Sequence, residues 1–192
     1  DKEPEVFVTE KEKLWANGKL KELKIDPCKK LIMIHPASSQ AHKNWGMEKF
    51  VQLSRLLIND CGHQVMGIFP PKEQSMANLF QEQVGGIFIS VGPLRPNISI
   101  IQRANLVIDN CSGPSHISVA LQVPTIVLVG VDFKNTYRDE NIYKDKHFVF
   151  FREVPCRDLF LSKCLPPDPC QNRICMDHSV EDVLNKSLEI LA

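Results

Sequence analysis

Three short stretches of this sequence put hydroxyls, a cation, an acid and a glycine where phosphate and sugar chemistry would need them. The richest is Asp109-Asn110-Cys111-Ser112-Gly113-Pro114-Ser115-His116, which follows one apolar run and opens an amphipathic one. Gly113 lets a backbone approach a ligand closely. Pro114 suits the first position of a helix, where its missing N–H costs nothing. The other N–H groups of such a helix start, with the positive end of its dipole, would face a diphosphate. His116 would either donate to a phosphate or pin the loop.

Two further loops point the same way. In His35-Pro36-Ala37-Ser38-Ser39, paired hydroxyls precede Lys43 and Trp45. Hydroxyls and backbone N–H groups hold phosphate oxygens, and a lysine supplies charge. Taken alone, this loop reads more readily as a serine-rich turn with a solvated lysine. In Phe69-Pro70-Pro71-Lys72-Glu73 an acid opens the next helix. Such an acid after the second strand of a dinucleotide fold holds ribose hydroxyls, although the helix dipole alone would also favour it there.

The elements that must carry these loops follow from periodicity. Leu31–Ile34, Val65–Phe69, Ile87–Val91, Leu106–Ile108 and Thr125–Val129 are short and continuously apolar. Such runs read as strands buried on both faces. Between them Phe50, Leu53, Leu56 and Leu57, then Met76, Ala77, Leu79 and Phe80, then Ile98, Ile101 and Ala104 repeat at helical spacing. Another helix begins near Pro114. Alternating strand and helix predicts a doubly wound, Rossmann-like parallel sheet with right-handed crossovers and its ligand at the carboxyl ends of the strands. Residues 1–30 read as a linker or lead-in helix, with Val6 and Val8 as a short strand, and residues 31–192 as the binding domain. His147–Phe151 adds a further strand. Ser179 caps a closing helix with Glu181 and Asp182 in its first turn.

Bulk properties exclude several classes. The chain has 192 residues, 43% hydrophobic and 24% charged, with a net charge of zero, which suits one domain with a sizeable core. No basic excess argues for a nucleic-acid partner. No apolar run reaches the roughly 18 residues of a membrane span. The first loop has no G-x-G-x-x-G, so a nicotinamide or flavin oxidoreductase is disfavoured. The start is polar, without a signal peptide or an initiator Met, so a fragment of a longer protein is expected. Scattered thiols at Cys28, Cys61 and Cys111 favour a cytoplasmic setting.

Together the loops resemble the bacterial ADP-heptose:lipopolysaccharide heptosyltransferases of glycosyltransferase family 9. The landmarks are Ile34-His35-Pro36-Ala37-Ser38-Ser39 with Lys43-Asn44-Trp45, Glu73, Asn110 to His116, Val123-Pro124-Thr125 and the cysteine-rich tail ending Cys175-Met176. The resemblance runs from about Leu31 to Leu191, to that family's C-terminal, nucleotide-sugar-binding domain, which is half of a GT-B fold. It implies an inverting, metal-independent transfer of heptose from ADP-heptose to the lipopolysaccharide inner core, in the cytoplasm or peripherally at the inner membrane. Ser38, Ser39 and Lys43 would hold the diphosphate, Glu73 the ribose, and residues 110–116 the diphosphate and sugar from the other side. Lys43 would stabilise the leaving group, a kind of contribution worth on the order of 3 kcal/mol of barrier. The acceptor site and the base would belong to an N-terminal domain this chain lacks, so the fragment alone is expected to be inactive. Family members carry Asp where Cys111 stands, Gly at Ala37 and Pro at Gly46. A transferase using another nucleotide sugar and a non-catalytic nucleotide-binding or scaffold domain are therefore alternatives.

Cys156, Cys164, Cys170 and Cys175 crowd residues 155–178. Four thiolates can hold zinc or iron, but the usual C-x-x-C pairs are missing. A loop of buried free thiols is the favoured reading, with a metal or two disulfides as alternatives and no cofactor required.

Overall fold

The computed structural model describes residues 5–38, 41–130, 146–155 and 173–192. Helix α1 (Glu10–Glu22) opens them, followed by β1 (Leu31–His35), α2 (Met47–Asn59), β2 (Gln64–Phe69), α3 (Gln74–Val84) and β3 (Phe88–Val91). Then come α4 (Leu94–Ile101), β4 (Leu106–Asn110), α5 (Gly113–Ala120), β5 (Thr125–Val129), β6 (His147–Phe151) and α6 (Val180–Leu191). Short 3-10 turns at Ala41–Lys43, Pro71–Glu73 and Ile174–Met176 punctuate them. The six strands form one sheet in the order β3-β2-β1-β4-β5-β6, and every pairing is parallel. The predicted doubly wound sheet is the observed one.

Each apolar strand divides its side chains between two faces, because successive Cβ atoms point to opposite sides. Ile32 and Ile34 join Phe50, Leu53 and Leu57 of α2, Phe80 of α3 and Val183 of α6 on one face. Leu31 and Met33 join Ala16 of α1 and Ile100 and Ile101 of α4 on the other. Burial on both faces is why these strands show no polar alternation.

The lead-in helix belongs to this packing, since Ala16 is fully buried and Leu20, Leu23 and Ile25 pack against the same cluster. Its start is a capping box: Thr9 N–H donates to Glu12 Oε2 at 2.8 Å, and Glu12 N–H donates to Thr9 Oγ1 at 3.3 Å. Arg95 of α4 then grips Glu12 at 2.6 and 2.8 Å. Val6 and Val8 do not form the strand expected of them. The Thr9 cap begins the helix just after them, and among the described residues no strand pairs with them to satisfy their backbone.

The C-terminal segment folds back onto the carboxyl end of the sheet. Trp45 Nε1 donates to the His178 carbonyl at 2.9 Å, and Lys49 bonds Asp177 Oδ1 at 2.8 Å. Gly130, just after β5, leaves room for Met176 and Cys175, whose sulfurs would lie 3.1 and 3.2 Å from a Cβ at that position. Ser179 caps α6 as expected, accepting from Asp182 N–H at 3.0 Å. No helix among the described residues is long and apolar enough to cross a membrane.

Candidate functional site

The strand order reverses between β1 and β4, so the loops leaving these two strands part to opposite sides and open a crevice. A cleft of about 300 Å³ lies there. The first loop contributes His35 and Ser38; the second contributes Phe69, Lys72 and Glu73; the third contributes Ser112, Gly113 and Pro114. Ile68, Leu94, Ile101 and Ile117 form an apolar floor and wall. Thus all three loops singled out in the sequence reach one cleft. A larger hollow of about 740 Å³, lined by Lys21, Leu31, Arg103 and Asn105, lies at the amino ends of the strands, away from the crevice that parallel sheets use.

At the base of the cleft are two residues absent from the sequence-derived site, His35 and Asp109. The parallel register sets them side by side at the ends of β1 and β4. Asp109 is fully buried. Its Oδ2 accepts from Ser112 Oγ at 2.7 Å and from Ser115 N–H at 2.8 Å, and its Oδ1 lies 3.0 Å from His35 Nδ1. The other ring nitrogen, Nε2, lies 3.4 Å from Glu73 Oε2. Burial opposes a charge on His35, but the hydrogen bond and charge of Asp109, then those of Glu73, outweigh it and hold its pKa above 6.5. The one sequence signal for this pair was positional: each is the first polar residue after an apolar run, Leu31–Ile34 or Leu106–Ile108.

Helix α5 begins at Gly113, with Pro114 at the second helical position rather than the first. Asp109 already uses part of this helix end. Ser115 N–H goes to its carboxylate, and Ser112 N–H goes to Ser115 Oγ at 3.3 Å. Pro114 has no N–H, so Gly113 offers the available backbone donor. Gly113 lines the cleft, and a Cβ placed on it would meet nothing within 4 Å. An anion here therefore depends on side-chain cations as well as on the dipole.

Lys43 supplies one such cation from the 3-10 turn after β1. Partial burial pushes the His116 ring below 6.5, Asp109 pulls it up, and Lys43 pushes it down again. The Lys43 charge thus acts beside the first turn of α5. Lys72, which the sequence reading passed over, lines the cleft next to Glu73.

Other predicted residues serve differently. Asn110 is fully buried and braces the first loop: its Nδ2 donates to the Pro36 and Ala37 carbonyls at 3.1 and 3.3 Å, and its Oδ1 accepts from Trp45 N–H at 3.0 Å. Ser115 is also buried, its hydroxyl donating to the Ser112 carbonyl at 2.7 Å. Cys111 packs against Val127, Val129 and Val149 and does not line the cleft. Ser39 lies outside the described residues, as do Cys156, Cys164 and Cys170 of the proposed metal cluster; Cys175 is buried. Among the described residues, no group of three histidines, cysteines or acids is arranged to hold a metal ion.

The family model described as glycosyltransferase family 9 (heptosyltransferase) matches residues 5–158. No curated protein sequence matches closely enough to count as a relative. Among solved structures, a glycosyltransferase family 9 protein from Veillonella parvula is 19% identical with a TM-score of 0.79, over 97% of this chain and 53% of its own. The ADP-heptose lps heptosyltransferase II of E. coli is 20% identical with a TM-score of 0.73, over 98% of this chain and 53% of its own. E. coli heptosyltransferase WaaC with ADP-2-deoxy-2-fluoro heptose is 20% identical with a TM-score of 0.57, over 92% and 48%. The chain spans about half the length of these proteins. At such identities the likeness is one of fold.

Proposed function

The chain belongs to glycosyltransferase family 9 (heptosyltransferase), and from that membership we propose that it is the C-terminal, nucleotide-sugar-binding half of a two-domain transferase. The observation that carries this reading is the convergence of three loops on one switch-point cleft that combines a carboxylate, hydroxyls, an open helix start and an apolar wall. The apolar wall of Ile68, Leu94, Ile101 and Ile117 suits a nucleobase. Glu73 accepts from the ribose hydroxyls. Ser38, Gly113 N–H and Lys43 take the diphosphate, with His116 at its flank.

The chemistry follows from where charge develops. As the bond from the sugar to the diphosphate breaks, the leaving oxygen becomes more negative. A lysine and an oriented N–H already in place stabilise that charge without reorganising, and no metal is required. The acceptor and the base that deprotonates it would come from the other half of the protein. The donor we propose is ADP-heptose, and the acceptor the inner core of lipopolysaccharide. The solved heptosyltransferase bound to an ADP-heptose analogue supports the donor. Residues 1–30 then form the lead-in to a binding domain over residues 31–192, working in the cytoplasm or at the inner membrane.

Calorimetric titration of the 192-residue chain with ADP, UDP, GDP and ADP-heptose tests this. ADP and ADP-heptose should bind at least about tenfold more tightly than the other two, a difference of about 1.4 kcal/mol. Preference for UDP or GDP would redirect the donor to another nucleotide sugar. Absence of binding by all four at millimolar concentration would make this a scaffold that has kept only the fold.

A further inference from the structure

His35 has two carboxylates and, when neutral, one N–H. Nδ1 sits 3.0 Å from Asp109 Oδ1 and 3.2 Å from Ser112 Oγ, while Nε2 sits 3.4 Å from Glu73 Oε2. The ring is buried, with its residue 6% exposed, and leans on Phe69 at 6.3 Å between centroids. Ser112 Oγ donates to Asp109, so the Asp109 contact calls for a proton on Nδ1. A neutral ring would then turn the lone pair of Nε2 toward the Glu73 oxygen, and two lone pairs repel. The charged ring donates from both nitrogens and satisfies both acids.

The charged groups that face His35 are Asp109 from β4 and Glu73 from the turn after β2. Lys72 stands beside Glu73 in the cleft wall. Lys43 and Asp109 both act on the His116 ring beside α5, Lys43 lowering its pKa and Asp109 raising it.

We infer that His35 is a positioning residue: its charged ring fixes one oxygen of Glu73 and so presents the other to the hydroxyls of a ribose. This rests on the reading that Glu73 meets the ribose, and it adds a proton-dependent control over that contact. Below the pKa of His35 the clamp is closed. Above it, Nε2 loses its proton and Glu73 is released from the geometry that recognises the sugar. Because both carboxylates raise that pKa above 6.5, the change falls on the alkaline side of 6.5.

The test compares ADP with 2′,3′-dideoxy-ADP by calorimetry on the full chain, from about pH 6 to about pH 9, in wild type, His35→Gln and Glu73→Gln. Ionisation of the phosphates cancels in the affinity ratio, which reports the hydroxyl contact alone. The wild-type ratio should be about tenfold near pH 6, as one charged hydrogen bond allows, and should fall toward one near pH 9. His35→Gln, which keeps a donor that does not titrate, should give an intermediate ratio that does not change with pH. Glu73→Gln should give a ratio near one throughout. A wild-type ratio near one at every pH removes the ribose reading itself. A large wild-type ratio that does not change with pH overturns the His35 clamp and leaves the ribose reading standing. Should His35→Gln not fold, nitrogen chemical shifts of the wild-type imidazole decide: a bare Nε2 at neutral pH contradicts the clamp, and a proton on both nitrogens supports it.

Discussion

Three donors converge on the two oxygens of Asp109, which is fully buried at the end of β4. A buried carboxylate persists only when charge and hydrogen bonds compensate it, and His35, when protonated, supplies that charge at 3.0 Å. This linkage predicts how stability depends on pH. The folded-state pKa of His35 lies above its unfolded value of 6.5. Its contribution is therefore fully present below 6.5 and is lost as pH rises through the folded value. His63, His116, His147 and His178 are all held below 6.5, His147 at about 4 by burial and the charge of Lys146. Their depressed values make the fold more stable as the unfolded imidazoles lose protons, a contribution common to wild type and His35→Gln that cancels when the two are compared. The urea midpoint of the wild type should fall relative to that of His35→Gln as pH rises from about 6.5 to about 8.5. Parallel curves for the two proteins would mean that His35 is not charged in the fold. The pair was hard to find in the sequence because its members lie 74 residues apart, and only the adjacency of β1 and β4 brings them together. Glu73 and Lys43 were easier to read, since each stands just past a strand, where an acid or a cation has a known use.

The elements were the most legible level, because burial on both faces leaves an unbroken apolar signature in every central strand. What escaped was anything decided by close contact. Gly67 in β2 is one such position: a Cβ there would lie 2.8 Å from Phe69 Cε2, 2.9 Å from Ile89 Cδ1 and 3.2 Å from Phe80 Cδ1. Phe69 also lines the cleft, so overpacking at Gly67 presses on the site from below. Gly67→Ala should cost about 2 kcal/mol, lowering the thermal midpoint by roughly 4–8 °C for a chain of this size. An unchanged midpoint would show that the three side-chain tips give way freely. Asn110 and Cys111 teach the same lesson. The family resemblance implies ligand contacts for both, yet Asn110 spends its amide on the Pro36, Ala37 and Trp45 backbone. Cys111 packs among valines. Position in a loop predicts which residues are near a ligand; the direction of each side chain depends on strand register and packing.

At the scale of the whole molecule, the strand order β3-β2-β1-β4-β5-β6 places the switch-point crevice between β1 and β4, and the chain belongs to glycosyltransferase family 9. The chain is about half as long as the structures it resembles, which matches the division of labour proposed for it: this half holds the nucleotide sugar, the other brings acceptor and base. The central claim is therefore that the cleft at the switch point binds a nucleoside diphosphate with its phosphates toward Lys43. The most direct test is to titrate ADP and adenosine into the wild-type chain and Lys43→Ala by calorimetry. Loss of a charged hydrogen bond should weaken ADP by about ten- to a hundredfold and leave adenosine within about twofold. Equal weakening of both ligands, or no weakening of either, would contradict the account.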